Sequence, residues 1–237
     1  MIYQFSIGGV VKSIVFALVF LVGGTGVAVA GDGEDALISY LKDDYAATFT
    51  KLMESDKTGN LRPQSIFGSL YRFGERVSQD HEQAMHWYIE AAEDGYMEAQ
   101  YNLASMCVEG RGGPQDYAQA MYWYTKAAEA GDTGAQTALG VMYAHGKGVM
   151  QDDQRAVRWY RKAAEAGDRG AQYNLASMYY FGKGVPMDYV LAYVWATLAA
   201  SGDGGNEVRK RDAIVAFMTP HQIAEAEKFI RERMPIR

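Results

Sequence analysis

The four tryptophans of this chain lie 36 residues apart, at Trp87, Trp123, Trp159 and Trp195, and there are no others. A fixed period of this size predicts a solenoid, in which each repeat is one supersecondary unit that packs against its neighbours. Many other positions keep the same phase, so the spacing is not a coincidence. They include the rows Asp80, Asp116, Asp152, Asp188; Ala91, Ala127, Ala163, Ala199; and Gly74, Gly110, Gly146, Gly182.

Each period predicts two helices joined by short turns. From Asp116 to Ala130, apolar residues recur at spacings of three and four, which is typical of a helix with one buried face. Asp116 is a favourable N-cap, and Gln119 follows at the capping-box position. Another helix is predicted from about Thr133 to His145, before a glycine suited to end it. The tryptophans fall on the second helix of each unit, where we expect them to fill the space between units.

The amino-acid sequence of the repeats resembles that of the Sel1-like repeat, a relative of the tetratricopeptide repeat. The resemblance is carried by residues 143–149 (YAHGKGV) and 156–167 (AVRWYRKAAEAG), and it covers four units over residues 64–202. It implies an all-α fold, a right-handed superhelical solenoid of helix-turn-helix repeats. Residues 31–63 keep the phase at Asp44 and Gly59 but have Lys51 where a tryptophan would stand. We therefore expect a degenerate capping unit there.

Residues 203–237 are expected to cap the other end of the array. One helix is predicted from Asn206 to Phe217. After it, Thr219 has the features of an N-cap, Pro220 of a first helical residue and Gln222 of a capping-box partner. A C-terminal capping helix is therefore predicted, as often follows bacterial arrays of this kind.

The N-terminus predicts export. Lys12 precedes a mostly apolar run at residues 14–27, and Ala28 to Ala30 offer small residues in an A-x-A arrangement. We interpret residues 1–30 as a signal peptide cleaved after Ala30, which would place the mature chain in the periplasm or outside the cell. An uncleaved anchor is the alternative, but the run is short and glycine-rich for a span of about 20 residues. No stable membrane span is expected after cleavage.

The charge balance disfavours one class of partner. The chain has 23 Lys and Arg against 29 Asp and Glu, a net charge of −6. Nucleic-acid binders usually have a basic surface, so nucleic acid is not an expected partner. A monomer without a cofactor or metal site is expected.

No catalytic constellation is visible. Cys107 is the single cysteine and cannot form an intramolecular disulfide, unlike the stapled repeats of some exported Sel1-like proteins. It occupies the core position that tyrosines hold in other units, and a catalytic thiol would need an activating partner. His81 and His86 are five residues apart, whereas a zinc-protease helix needs a spacing of four. The repeated Gly-Lys-Gly turns lack the context of a phosphate loop.

The surface of the first helices remains as the candidate binding site. In helical-repeat solenoids these helices line the concave groove, and the positions not needed for packing are Tyr101, Asn102, Ser105, Glu109, Thr137, Val141, His145, Tyr173, Asn174 and Ser177. Asn102 and Asn174 resemble an asparagine of tetratricopeptide helices that contacts a peptide backbone, since an amide both donates and accepts hydrogen bonds. Alternatively, they bond neighbouring helices. The middle unit has Ala138 at this position.

These observations favour an exported scaffold that holds a protein or peptide partner in the groove, rather than an enzyme. Two alternatives stay open. One is a periplasmic hydrolase acting on cell-wall or β-lactam-type substrates. The other is an adaptor in polysaccharide export, which rests on analogy of fold.

Overall fold

A computed structural model describes residues 63–74, 77–200 and 205–233. The predicted signal peptide at 1–30, and all but the last residue of the predicted degenerate unit at 31–63, lie outside the described residues. The described ranges contain helices and no strand. The helices are α1 Pro63–Phe73, α2 His81–Glu93, α3 Met97–Glu109, α4 Tyr117–Glu129, α5 Thr133–His145, α6 Asp153–Glu165, α7 Arg169–Phe181, α8 Tyr189–Ala199, α9 Gly205–Val215 and α10 Pro220–Arg233.

Consecutive helices from α1 to α9 pack against each other. The pairs α1/α2, α3/α4, α5/α6 and α7/α8 are the four repeat units, so the predicted all-α solenoid is confirmed. The tryptophans lie on the second helix of each pair. The last two helices, α9 and α10, both contact α8 and close the array at its C-terminal end.

Local hydrogen bonds explain where the helices begin. The side chains of Asp80, Asp116, Asp152 and Asp188 each accept a hydrogen bond from a backbone N–H in the first turn of the second helix that follows. At α10, the N–H of Gln222 donates to Oγ1 of Thr219 over 3.3 Å, and the N–H of Thr219 donates to Oε1 of Gln222 over 2.9 Å. This is the reciprocal capping box predicted from the sequence.

A glycine-containing turn connects the first helix of each unit to the second helix and, from the second unit onward, contacts the previous unit. The first glycine of each turn is the left-handed C-cap, as at Gly146 with φ 65°. The second glycine lies against the previous unit's second helix, and a Cβ added to Gly148 would be 2.5 Å from Cβ of Tyr117. Turn geometry therefore accounts for the first glycine, and close approach between units accounts for the second.

The core differs from the expectation for the tryptophans. The residue after each tryptophan is the most buried aromatic in three units, with exposed fractions of 0% for Tyr88, 6% for Tyr124 and 2% for Tyr160. Trp87, Trp123 and Trp159 are only half-buried. These three tryptophans are less buried than we expected, although Trp123 and Trp159 still pack against the core. The tyrosines lie between the two helices of their own unit, as Tyr88 does against Gly68 and Tyr160 against Gly140. Only Trp195 is buried, in a cluster completed by residues of α9 and α10.

Buried glutamines also hold units together. Gln100, Gln136 and Gln172, at 36-residue spacing, each donate from Nε2 over 3.1 Å to a carbonyl near the end of the preceding second helix. The acceptors are the carbonyl oxygens of Ala92, Ala128 and Ala164. Each of these carbonyl oxygens also accepts the backbone N–H of the glycine three residues later. The glutamine therefore supplies a second donor, from the next unit, at a helix end where the regular partner is missing.

Candidate functional site

The first helices of successive units form one surface. Helices α5 and α7 contact each other directly, and Oγ1 of Thr137 on α5 donates to Oδ1 of Asp168, the N-cap of α7, over 3.0 Å. We call this the first-helix surface and define it by the ten predicted residues. Eight are half-buried, and Glu109 and His145 are exposed: Tyr101, Asn102, Ser105, Glu109, Thr137, Val141, His145, Tyr173, Asn174 and Ser177.

The N-terminal end of the first-helix surface is occupied by an ionic network. Nη1 of Arg72 on α1 donates to Oδ1 of Asn102 over 2.9 Å, and Nη2 lies 3.9 Å from Oε1 of Glu109. The side chain of Arg72 is only 11% exposed, so these acceptors compensate much of the cost of its burial. Asn102 therefore bonds a neighbouring helix, which is the second of its two interpretations.

Asn174 differs from its counterpart two units earlier. It is half-buried on α7, and position 144 on the preceding first helix is an alanine where α1 carries Arg72. Within the described ranges, no hydrogen bond engages its side-chain amide. The Asn174 amide thus keeps its capacity to donate and to accept.

The C-terminal end of the surface is covered by the cap. Nζ of Lys210 on α9 lies 3.3 Å from the ring centroid of Tyr173, donates over 3.4 Å to the carbonyl oxygen of that residue, and hydrogen-bonds Oγ of Ser177. Burial lowers the pKa of Lys210 to about 8, against the opposing effect of Glu207. Two predicted groove residues therefore contact the cap helix.

The Lys210 contact predicts a pH dependence of stability. Because the pKa of Lys210 is about 8 in the folded chain, against the ordinary lysine value of 10.5 in the unfolded chain, the unfolded chain binds more protons between these values. The free energy of unfolding therefore gains a contribution that rises with pH across this window. Lys210→Met should remove that rise in urea unfolding measured from about pH 7.5 to pH 9.5. Identical pH profiles for the two proteins would contradict the burial of this ammonium group.

Other reactive groups show no activation. Burial, and secondly the charge of Asp116, raise the pKa of the Cys107 thiol, and the side chain is 3% exposed. This is opposite to what a nucleophilic thiolate needs. No group of three or more His, Cys, Asp or Glu that could hold a metal ion occurs among the described residues.

The repeats match a known protein family. The family described as Sel1 repeat matches the chain four times, at residues 68–96, 98–132, 133–168 and 170–203. The chain belongs to the Sel1 repeat family. Each match combines a first helix with the following second helix, and the four matches correspond to the four helix pairs. Sel1 repeat proteins generally act as protein–protein interaction scaffolds.

Two solved bacterial structures are similar to this one. The first is c5321, a protective antigen of uropathogenic Escherichia coli, with 30% identity, a TM-score of 0.73, and coverage of 84% of this chain and 44% of that protein. The second is a Sel1 repeat protein of Oxalobacter formigenes, with 37% identity, a TM-score of 0.61, and coverage of 69% and 47%. This Sel1 repeat chain thus spans less than half the length of either relative.

Two further results concern the Sel1 repeat chain as a whole. No curated protein matches it. None of the helices in the described ranges combines the length and the apolar composition that crossing a membrane requires.

Proposed function

We propose that this Sel1 repeat protein is an exported scaffold that binds a protein or peptide partner on its first-helix surface. Export is supported by the signal-like residues 1–30. Binding is supported by a surface of half-buried polar and aromatic side chains that runs across several units. Such positions contribute to a partner's contact area without being required for the core.

The Asn174 amide carries the proposal. It lies between the ionic network around Arg72 and the lysine of the cap, on the part of the surface that neither covers. An extended peptide could use this amide for paired hydrogen bonds to its backbone, with Val141 and Thr137 of the neighbouring helix as adjoining contacts. Because the amide has no bond to another described residue, a partner would not have to displace an existing one.

Asn174→Ala is expected to reduce partner capture about 5- to 150-fold without changing thermal stability, since losing a polar contact that leaves its partner unpaired costs about 1–3 kcal/mol. The measurement is recovery of partners by site-specific cross-linking in the periplasm, quantified by mass spectrometry. Asn102→Ala is less suitable, because it would also remove an acceptor from Arg72. Gln154→Ala, an exposed change on α6, is the matched control. Unchanged capture by Asn174→Ala would refute the proposed surface.

The hydrolase alternative is supported by one contact, the hydrogen bond between Ser177 and Lys210. A lysine with a pKa of about 8 could act as the base for a serine. However, Ser177 lies inside α7 and its hydroxyl donates to the carbonyl of Tyr173 over 3.0 Å. The surrounding backbone N–H groups are used by the helix, so none is aimed at a developing oxyanion. Turnover that disappears in both Ser177→Ala and Lys210→Met would favour the hydrolase over the scaffold.

A further inference from the structure

The exposed side of the second helices changes charge in order along the array. Helix α2 exposes three glutamates and contains no Lys or Arg. Helix α4 exposes one lysine and one glutamate, and α6 exposes four cations and one glutamate. We call this the second-helix face and define its charged residues as Glu82, Glu90 and Glu93 of α2, Lys126 and Glu129 of α4, and Arg155, Arg158, Arg161, Lys162 and Glu165 of α6.

Positions 86 and 90 of α2, and their equivalents in the next two units, have different charges. In α2 the pair is His86 and Glu90, with Nε2 of His86 3.4 Å from Oε1 of Glu90. In α4, Nζ of Lys126 lies 5.5 Å from the ring centroid of Tyr122. In α6 the equivalent pair is Arg158 and Lys162, two like charges four residues apart, which destabilise a helix.

The cations of α6 differ in their contacts within the chain. Nε of Arg155 lies 3.1 Å from Oδ2 of Asp152, and Nη2 of Arg161 donates to the hydroxyl of Tyr179 over 2.8 Å. For Arg158 and Lys162, no carboxylate among the described residues forms an ion pair. Nζ of Lys162 lies 5.6 Å from the ring centroid of Trp159, but no described carboxylate neutralises either cation, so both have charge available for a partner.

The middle of the second-helix face is aromatic. Tyr122 of α4 is 52% exposed, and its ring meets that of Trp123 edge-on at 4.7 Å. Both rings and Ile89 line an open groove of about 870 Å³ between α2 and α4. An aromatic centre flanked by charges is the usual composition of a protein–protein interface.

We propose that the second-helix face binds a second copy of this chain, with the two-fold axis running along α4. Helices α2 and α6 lie on opposite sides of α4, two repeats apart. A rotation of 180° about this axis therefore places α2 of one copy opposite α6 of the other at the same height, with Glu90 level with Lys162. The acidic α2 of each copy then faces the basic α6 of the other copy, which gives two attractive contacts. Tyr122 of one copy contacts Tyr122 of the other at the centre. Such an isologous interface is self-complementary and closed.

The size of the face predicts a weak dimer. A 13-residue helix is about 20 Å long, and three such helices at about 10 Å each would cover at most roughly 600 Å² per copy, because neighbouring second helices have few direct contacts with each other. This is near the lower limit for a specific interface, so much of the specificity falls to the charges, which salt screens. The proposed dimer differs from the monomer expected from the sequence. It would leave two first-helix surfaces free, and so make partner binding bivalent.

Sedimentation velocity on the mature chain from Gly31 tests the proposal. We expect a dimer at about 50 mM NaCl that dissociates at about 500 mM. One variant, Arg158→Glu with Lys162→Glu, has acidic residues on both α2 and α6, so both of its sides are acidic. The other, Glu90→Lys with Glu93→Lys, has two basic sides. Each alone should dissociate at least about tenfold more readily, because like charges then face each other across the axis. Circular dichroism is used to check that both variants are folded.

Mixing the two variants in equal amounts gives the decisive result. An acidic-sided copy and a basic-sided copy complement each other on both sides of the axis, so a heterodimer should form. A chain carrying all four substitutions should again dimerise with itself. A monomeric native protein, a dimer insensitive to either variant, no recovery on mixing, or an open polymer instead of a dimer would each overturn the proposal. Partner capture through Asn174 is measured separately, so its failure would not affect this result.

Discussion

Replacing Gly184 by alanine is expected to destabilise the array by about 3–5 kcal/mol, because two penalties combine. The residue has φ +69°, and an added Cβ would lie 2.3 Å from the carbonyl oxygen of Asp153 and 2.8 Å from the nitrogen of Gln154. These are backbone atoms of α6, which cannot rotate away as a flexible side chain could. The free energy of unfolding, measured in urea by far-UV circular dichroism, gives the loss.

Gly167→Ala is the matched control. Its φ is +95°, but a Cβ there would have no atom within 4 Å. It should therefore lose only the left-handed penalty of about 1–2 kcal/mol. Hydrogen exchange should further show that Gly184→Ala loosens α7 and the helices after it, since stability in a solenoid passes between neighbouring units. Equal losses in the two variants would mean that close approach between units contributes nothing at this turn.

Local chemistry explains which parts of the fold were predictable from the sequence. The helix Thr133–His145 has the predicted bounds, because an aspartate cap and a left-handed glycine both act within a few residues. The cap at Thr219 was predictable for the same reason. At α9, where no such pair of signals occurs, the helix is Gly205–Val215 instead of the predicted 206–217.

Features that depend on a neighbouring unit were less predictable. The buried glutamines were visible as a row at 36-residue spacing, but polar residues are not usual candidates for a core. On the first-helix surface, the sequence identified positions that are indeed half-buried or exposed. It could not indicate that Arg72 engages Asn102, or that Lys210 covers Tyr173 and Ser177, because each contact joins residues at least 30 positions apart.

Tyr160→Ala is expected to destabilise the protein by about 3–5 kcal/mol, the usual cost of removing a large buried aromatic. The ring packs directly on Gly140, where an added Cβ would lie 2.5 Å from its Cδ1 atom. With glycine on that side, no neighbouring side chain there could shift into the cavity. The change should appear as a lower urea midpoint with the slope preserved.

The adjacent residue provides the sharpest comparison. Trp159 is the larger side chain, yet it is half-buried, so Trp159→Ala should cost only about 2 kcal/mol from the apolar area it exposes. Tyr160→Phe keeps the ring and should be nearly neutral, because no described residue hydrogen-bonds the hydroxyl. If Trp159→Ala cost more than Tyr160→Ala, the half-buried tryptophans would contribute more to packing than the buried tyrosines. We expect the larger loss in the free energy of unfolding for Tyr160→Ala. The tryptophans would then identify the 36-residue period in the sequence, while the tyrosines beside them hold adjoining helices together.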